Sequence, residues 1–404
     1  MLRKILFLLL PFGCFSPQLL AQSNHFDSLT HQNVQRQYAV HLPPGYTGTV
    51  NLPLVITLHG GSGTYVNVQG FTQMNQVSNQ NGFIVAYPQG YGVAPPGFAW
   101  ADGRGTSADQ AEVDDVGFMA RLIDTLAAQY AIDTQRVYVC GFSNGGFMTQ
   151  RLACERPDLF AAVGGLGCSM DTSLYASCAP GQAVPMMYVA GTADPFVPFE
   201  GGVMNGNVTP IVAVDSALQF WVRQNGCQSA AAPDTLPDRV PTDNSRAVRQ
   251  DFTDCDCGAE VRYFRLLGAG HTWAGVEIAA QEPVLGETNE DIHASFELWD
   301  FFSPFARCEE ANTAVSWAGS GSWQAQPNPF GDQLTLQGVL PSATPVKGVL
   351  YDATGRPVHR WSSPGALPAG PQTWILDTRE LPAGLYHAVL ITSGGRVGVK
   401  VLKR

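Results

Sequence analysis

A serine set between glycines is the first feature with chemical meaning. Gly141-Phe142-Ser143-Asn144-Gly145 has the spacing G-x-S-x-G, and it lies between the apolar run Val137-Tyr138-Val139-Cys140 and a stretch with helical spacing. A strand-to-helix turn this sharp strains its central residue, and a Cβ two positions before or after would collide with it. A serine held there can attack a carbonyl, beside the N–H groups that open the next helix. An ordinary glycine-rich turn without chemistry is the competing interpretation.

A serine hydroxyl is a weak nucleophile near neutral pH and needs a base oriented by a carboxylate. On this type of turn the chain order is serine, acid, histidine. Four histidines follow Ser143: His271, His293, His359 and His387. His359 and His387 fall in a C-terminal segment of different character, and His293 stands among Phe296, Leu298 and Trp299 in an amphipathic stretch. His271, in the glycine-rich loop Gly268-Ala269-Gly270-His271-Thr272-Trp273 after a strand-like run, is the expected base. The expected acid is Asp194, just past Tyr188-Val189-Ala190 and fixed by Pro195, in preference to Asp171 and Asp215, which follow no such run. A turn-capping aspartate is the alternative for it. The backbone N–H groups of Asn144 and Gly61 are the expected oxyanion donors, with Ser62 as a substitute for Gly61. His59, which precedes the serine, reads as a residue that fixes its loop. Trp100 and Trp273 are candidate substrate platforms, because aromatic faces stack on phenolic rings or sugars, although loop packing would also explain them. Asp114 and Asp115 read as caps of the helix that follows them. No pattern asks for a metal or a cofactor: C-x-x-C is absent.

These residues need a scaffold. Apolar runs at 53–58, 82–87, 136–140, 185–190 and 261–266 read as strands buried on both faces, and 36–41 alternates like an edge strand. Helical spacing separates them at 115–130, 144–154, 214–225 and 292–302. Alternating strand and helix predicts an α/β fold with a doubly wound, mostly parallel sheet. After residue 308 the pattern changes. Residues 309–326 are Ala-, Gly- and Ser-rich and read as a linker, and 327–404 carries short alternating strands between turns, as in a small all-β sandwich. The main domain is therefore expected over 22–308.

The chain has 404 residues, with 34 Asp and Glu against 23 Lys and Arg for a formal charge of −11. That balance argues against nucleic acid, which demands a concentrated positive field. Residues 1–21 have a basic start, a short apolar run and a Leu-Leu-Ala end, the layout of a secretory signal peptide rather than a transmembrane segment. An exported chain with eight cysteines besides Cys14 favours disulfides. Cys168 with Cys178, and Cys227 with Cys255 or Cys257, are plausible pairs, whereas Cys140 could be a buried thiol or a bridge.

Five motifs together carry a resemblance: LHGGSG from Leu58, DDVGF from Asp114, GFSNGGFMTQRLAC from Gly141, GTADPFVPF from Gly191 and GAGHTWAG from Gly268. Through them residues 35–305 resemble the secreted α/β-hydrolase esterases that group feruloyl esterases, acetylxylan esterases and polyhydroxybutyrate depolymerase-like proteins. The resemblance implies a Ser143–Asp194–His271 triad and hydrolysis of carboxylic esters, in particular feruloyl or acetyl esters on plant polysaccharides, outside the cell or at its surface. Polyester depolymerisation, a peptidase and a catalytically silent surface binding protein are the other readings. Gln326-Pro327-Asn328-Pro329-Phe330, Tyr351-Asp352-Ala353-Thr354-Gly355, Leu381-Pro382-Ala383-Gly384-Leu385-Tyr386 and the basic end Val399 to Arg404 resemble a type A sorting domain of type IX secretion cargo. The type IX export machinery is then an implied partner. A carbohydrate-binding sandwich is the rival reading.

Overall fold

The apolar runs become inner strands because both of their faces are covered. In the computed structural model, which describes residues 23–404 apart from 93–96, 205–208, 278–281, 308–323, 328, 341, 353–356 and 393–394, eleven strands form one sheet. They are β1 Ser23–His31, β2 Val34–Leu42, β3 Leu52–Leu58, β4 Ile84–Pro88, β5 Ile132–Phe142, β6 Ala162–Leu166, β7 Met186–Gly191, β8 Ser229–Ala230, β9 Asp234–Thr235, β10 Arg246–Thr253 and β11 Val261–Leu267. The spatial order is β1-β2-β4-β3-β5-β6-β7-β11-β10-β8, with β9 beside β10. From β4 to β11 every neighbour is parallel, and the outer strands on both sides are antiparallel.

Alternation along β5 shows how the sheet is covered. Val137 and Val139 enter one apolar core with Phe118, Leu122 and Trp221, whereas Tyr138 and Cys140 enter another with Val85, Phe301 and Phe302. Side chains of a strand point alternately to opposite faces, so these are the two faces of a doubly wound sheet. The helices Asp115–Gln129, Asn144–Glu155 and Val214–Gln224 place apolar residues in the first core, and Ala294–Phe302 in the second. This is the α/β-hydrolase arrangement. Among the described residues no helix is long and apolar enough to cross a membrane.

The main sheet has strands that the sequence expectation lacks. The expected edge strand is β2, but it lies second from the edge, covered by β1, whose polar sequence SNHFDSLTH is largely exposed and carries no apolar alternation. β6, AVGGL, is hidden by its glycines, and β10 by its charges. The cysteine pairing also needs correction. Cys178 bonds Cys154 at the end of the helix Asn144–Glu155, and Cys168 is a buried thiol beneath that helix. Spacing says nothing about the direction of a Cβ, and that of Cys168 points under the helix. Cys227 pairs with Cys255, Cys257 is disulfide-bonded as well, and Cys140 is a buried thiol.

From residue 324 the named strands pair antiparallel. β12 Gln324–Gln326, β13 Gln333–Leu340 and β16 Gly370–Asp377 form one sheet, while β15 Pro357–Leu367, β14 Thr344–Asp352, β17 Gly384–Thr392 and β18 Gly395–Lys403 form a second. Their shared core, including Phe330, Leu334, Leu350, Leu376 and Leu390, contains no residue from the main sheet. The expected signal peptide, 1–21, and nearly all of the expected linker, 309–326, lie outside the described residues.

Candidate active site

Ser143 follows β5 and caps the helix Asn144–Glu155 with φ 54° and ψ −121°, a conformation that costs a residue with a Cβ of order 1–3 kcal/mol. Its neighbours explain why the turn tolerates this. A Cβ on Gly141 would stand 2.3 Å from the Gly145 carbonyl oxygen, and one on Gly145 would stand 2.5 Å from that of His59. The Ser143 N–H donates to the Leu166 oxygen at 2.9 Å, tying the turn to the end of β6.

The loops after β7 and β11 leave the same end of the sheet, since these strands are parallel neighbours, with Gly191 beside Leu266. They are stitched together by the N–H of Thr192 to the Leu266 oxygen at 3.0 Å and that of Ala193 to the Ala269 oxygen at 2.9 Å. Asp194 and His271 meet across this seam, with Oδ2 to Nδ1 at 2.6 Å. Asp194 Oδ1 accepts the N–H groups of Phe196 and Val197, each at 2.8 Å. A carboxylate oxygen accepts here, so the His271 Nδ1–H donates to it, and in the neutral imidazole that tautomer leaves the lone pair on Nε2.

Ser143, His271, Asn144 and Gly61 all line one cavity of about 700 Å³. Asn144 opens its helix, so its N–H has no partner one turn earlier. Of the two candidates on the facing loop, Ser62 has its N–H bonded to the Phe98 oxygen at 2.8 Å. A Cβ on Gly61 would lie 3.8 Å from that of Asn144, so the two backbones adjoin. His59 holds this loop from below. Its Nδ1–H donates to the Gly60 oxygen at 2.7 Å, and its Nε2 accepts from the Gly90 N–H at 2.9 Å and Gln89 Nε2 at 2.8 Å. Burial, with Arg36 adding to it, pushes its pKa down to about 4, so it is neutral.

The two tryptophans part company. Trp100 is 0% exposed, donates Nε1–H to the His59 oxygen at 2.9 Å, and is absent from the cavity lining, so it has no free face for a substrate. The expectation of a platform there is corrected: an indole with this many neighbours packs the loops. Trp273 does line the cavity, although it is 2% exposed and bonded to Ser295 Oγ at 3.1 Å. Sequence reasoning missed Phe71, Phe142 and Phe196, which complete an aromatic wall. Phe142 lies 4.6 Å and Phe196 5.4 Å from the His271 ring, and Phe71 lies 5.7 Å from Trp273. Phe196 follows the expected acid by two positions, a signal that was present; the approach of Phe71 had none.

Two further charges were missed. Asp102 and Arg104 are buried, joined at 2.6 Å, and Asp102 Oδ2 also accepts from Asn144 Nδ2 at 2.5 Å. The Asn144 side chain is therefore turned away from the cavity, clamping Trp100 through its N–H at 2.7 Å and its oxygen at 3.1 Å. Asp114 caps the helix Asp115–Gln129 as expected, through the Gly117 N–H at 2.7 Å. Asp115 instead is buried against Arg36 Nη2 at 2.6 Å.

Residues 36–214 match the family model described as Esterase PHB depolymerase. Feruloyl esterase C of Emericella nidulans is 30% identical over 269 residues, covering 63% of this chain and 87% of its own. The chain belongs to this esterase family. As a member it is a carboxylic ester hydrolase. Feruloyl esterase B of Piromyces equi is 27% identical over 241 residues, 58% of this chain, and the match spans only 42% of that protein. The acetyl xylan esterase structure from Aspergillus awamori shares 18% identity, with coverage of 64% of this chain and 97% of that one at a TM-score of 0.42.

Proposed function

We propose that this esterase is a secreted serine hydrolase that cleaves feruloyl esters on plant polysaccharides through an acyl-serine intermediate. The observation that carries the reading is His271, held by Asp194 at 2.6 Å and lining the same cavity as a serine at φ 54°. Ser143 Oγ attacks the ester carbonyl while His271 Nε2 takes its proton, and Asp194 stabilises the imidazolium through Nδ1–H. The N–H groups of Asn144 and Gly61 hold the oxyanion. Collapse expels the alcohol, protonated by His271. Water, deprotonated by the same nitrogen, then releases the acid and restores Ser143.

The aromatic wall favours a hydroxycinnamoyl acyl group over acetyl, because an aromatic ring recovers stacking and buried area that a methyl group cannot. Phe196, 44% exposed at the rim, serves as the platform in place of Trp100. In this reading residues 1–21 direct export and are removed, and 327–404 is recognised by type IX machinery and adds nothing to the chemistry.

The test is a panel: methyl ferulate, acetylated xylan, a short nitrophenyl ester and a polyhydroxybutyrate film, each given to the purified protein and to Ser143→Ala. Ferulate release that vanishes in the variant supports the reading. Preference for acetate or clearing of the film moves the substrate class, and inertness towards every ester leaves a binding protein.

A further inference from the structure

The cavity around Ser143 has two chemically different parts. Phe71, Phe142 and Trp273 form one, with ring centroids 5.6–6.2 Å apart. Arg104 belongs to the other, with Met204 beside it. Arg104 is only 3% exposed, yet it lines the cavity. Its guanidinium is fixed in place. Nε and Nη2 donate to Asp102 Oδ2 at 3.0 and 2.6 Å, and its carbon lies 3.6 Å from the centroid of the Phe147 ring. Nη1 is directed at the Met204 sulfur, 3.2 Å away. A thioether is a weak acceptor, so a buried guanidinium N–H facing one is poorly satisfied and gains from an oxygen brought into the cavity.

The charge of that oxygen also follows. Asp102 neutralises Arg104, so the pair offers no net attraction to an anion, while its N–H groups still bind a neutral acceptor. Arginine held in a fixed plane binds such an oxygen with little entropy left to lose. Ester cleavage at Ser143 requires room on both sides of the carbonyl, and Phe71, Phe142 and Trp273 supply an aromatic surface for one of them.

We propose that Arg104 is a specificity-determining residue that binds a hydroxyl or ring oxygen of the sugar on the alcohol side of the ester. The acyl ring then lies among Phe71, Phe142 and Trp273, and the saccharide lies against Arg104. This inference rests on the feruloyl-polysaccharide reading above.

The experiment compares two esters of the same acid: ferulate on the primary hydroxyl of arabinofuranose, and methyl ferulate, which has no sugar. Both are given to the wild type, to Arg104→Lys, and to the double variant Asp102→Asn/Arg104→Gln, which removes both charges and keeps the fold testable if the single variant is unstable. Loss of a hydrogen bond to a charged donor predicts a fall of about thirtyfold in kcat/KM for the arabinose ester, mostly in KM. Methyl ferulate falls by less than about fivefold through disturbance of the Asp102–Asn144 contact, so the ratio between the substrates drops. Equal falls on both esters would make Arg104 a structural support only and overturn the proposal. A wild type that cleaves methyl ferulate but gains nothing from the sugar overturns it too, while leaving the esterase reading intact. A wild type that cleaves neither overturns that reading and this inference with it.

Discussion

Ser143 sits where the backbone gives an ordinary residue the least comfort, and the atoms around it account for the glycines on either side. Gly145→Ala puts a Cβ 2.5 Å from the His59 oxygen and 2.7 Å from that of Leu58, both backbone atoms that cannot step aside. The expected cost is about 1–3 kcal/mol, read as a lower urea midpoint, with a fall in kcat as the turn relaxes. His59 makes a different prediction. Its folded pKa is near 4 against an ordinary 6.5, so between these values the unfolded chain binds a proton that the folded one does not. Its contribution is fully present above pH 6.5 and is lost as pH falls towards 4. From pH 7 to pH 5 the folded state should lose about 2 kcal/mol through this group. Urea titrations at both values test it: His59→Gln, which cannot titrate, should show a shallower loss than the wild type. At the cavity rim, Phe196→Ala should raise KM for methyl ferulate several-fold while the Asp194–His271 pair still supports kcat, because only the ring is removed.

At the scale of elements, the helix Asp115–Gln129 is anchored by a buried ion pair. Removing one partner strands the other charge, so Asp115→Ala should cost about 3–5 kcal/mol in chemical denaturation. The Cys154–Cys178 bridge closes a span of 24 residues between the nucleophile helix and the loop after β6, and its double Ser variant should lose about 3 kcal/mol. What could be read in advance at this scale follows one physical divide. Strands buried on both faces announce themselves as apolar runs, and the serine and histidine loops are legible because glycine marks their turns. β1 and β10 are polar strands towards the edges of the sheet, and no periodicity betrays them. The ion pairs Asp115–Arg36 and Asp102–Arg104 were equally silent, since nothing local distinguishes a buried carboxylate from a cap. Trp100 was misread for a related reason: an indole suited to stacking is equally suited to filling a loop, and only its surroundings decide.

The whole molecule has cores that do not mix. The two cores of the main sheet draw on residues between 29 and 305, and the C-terminal core on residues between 325 and 401. A chain ending at residue 323, which keeps every cysteine, should therefore keep kcat/KM for methyl ferulate within about twofold and the thermal midpoint within a few degrees. A collapse of either would mean that the sheets beyond 323 support the hydrolase. The central claim concerns the serine itself, and the most direct test is to catch its acyl intermediate. The full-length enzyme should release nitrophenol from a short nitrophenyl ester in a burst of about one equivalent. Peptide mapping after acid quench should place the acyl mass on the peptide carrying Ser143, and Ser143→Ala should show neither. An acyl group found on another residue, or turnover that survives in Ser143→Ala, would contradict the account.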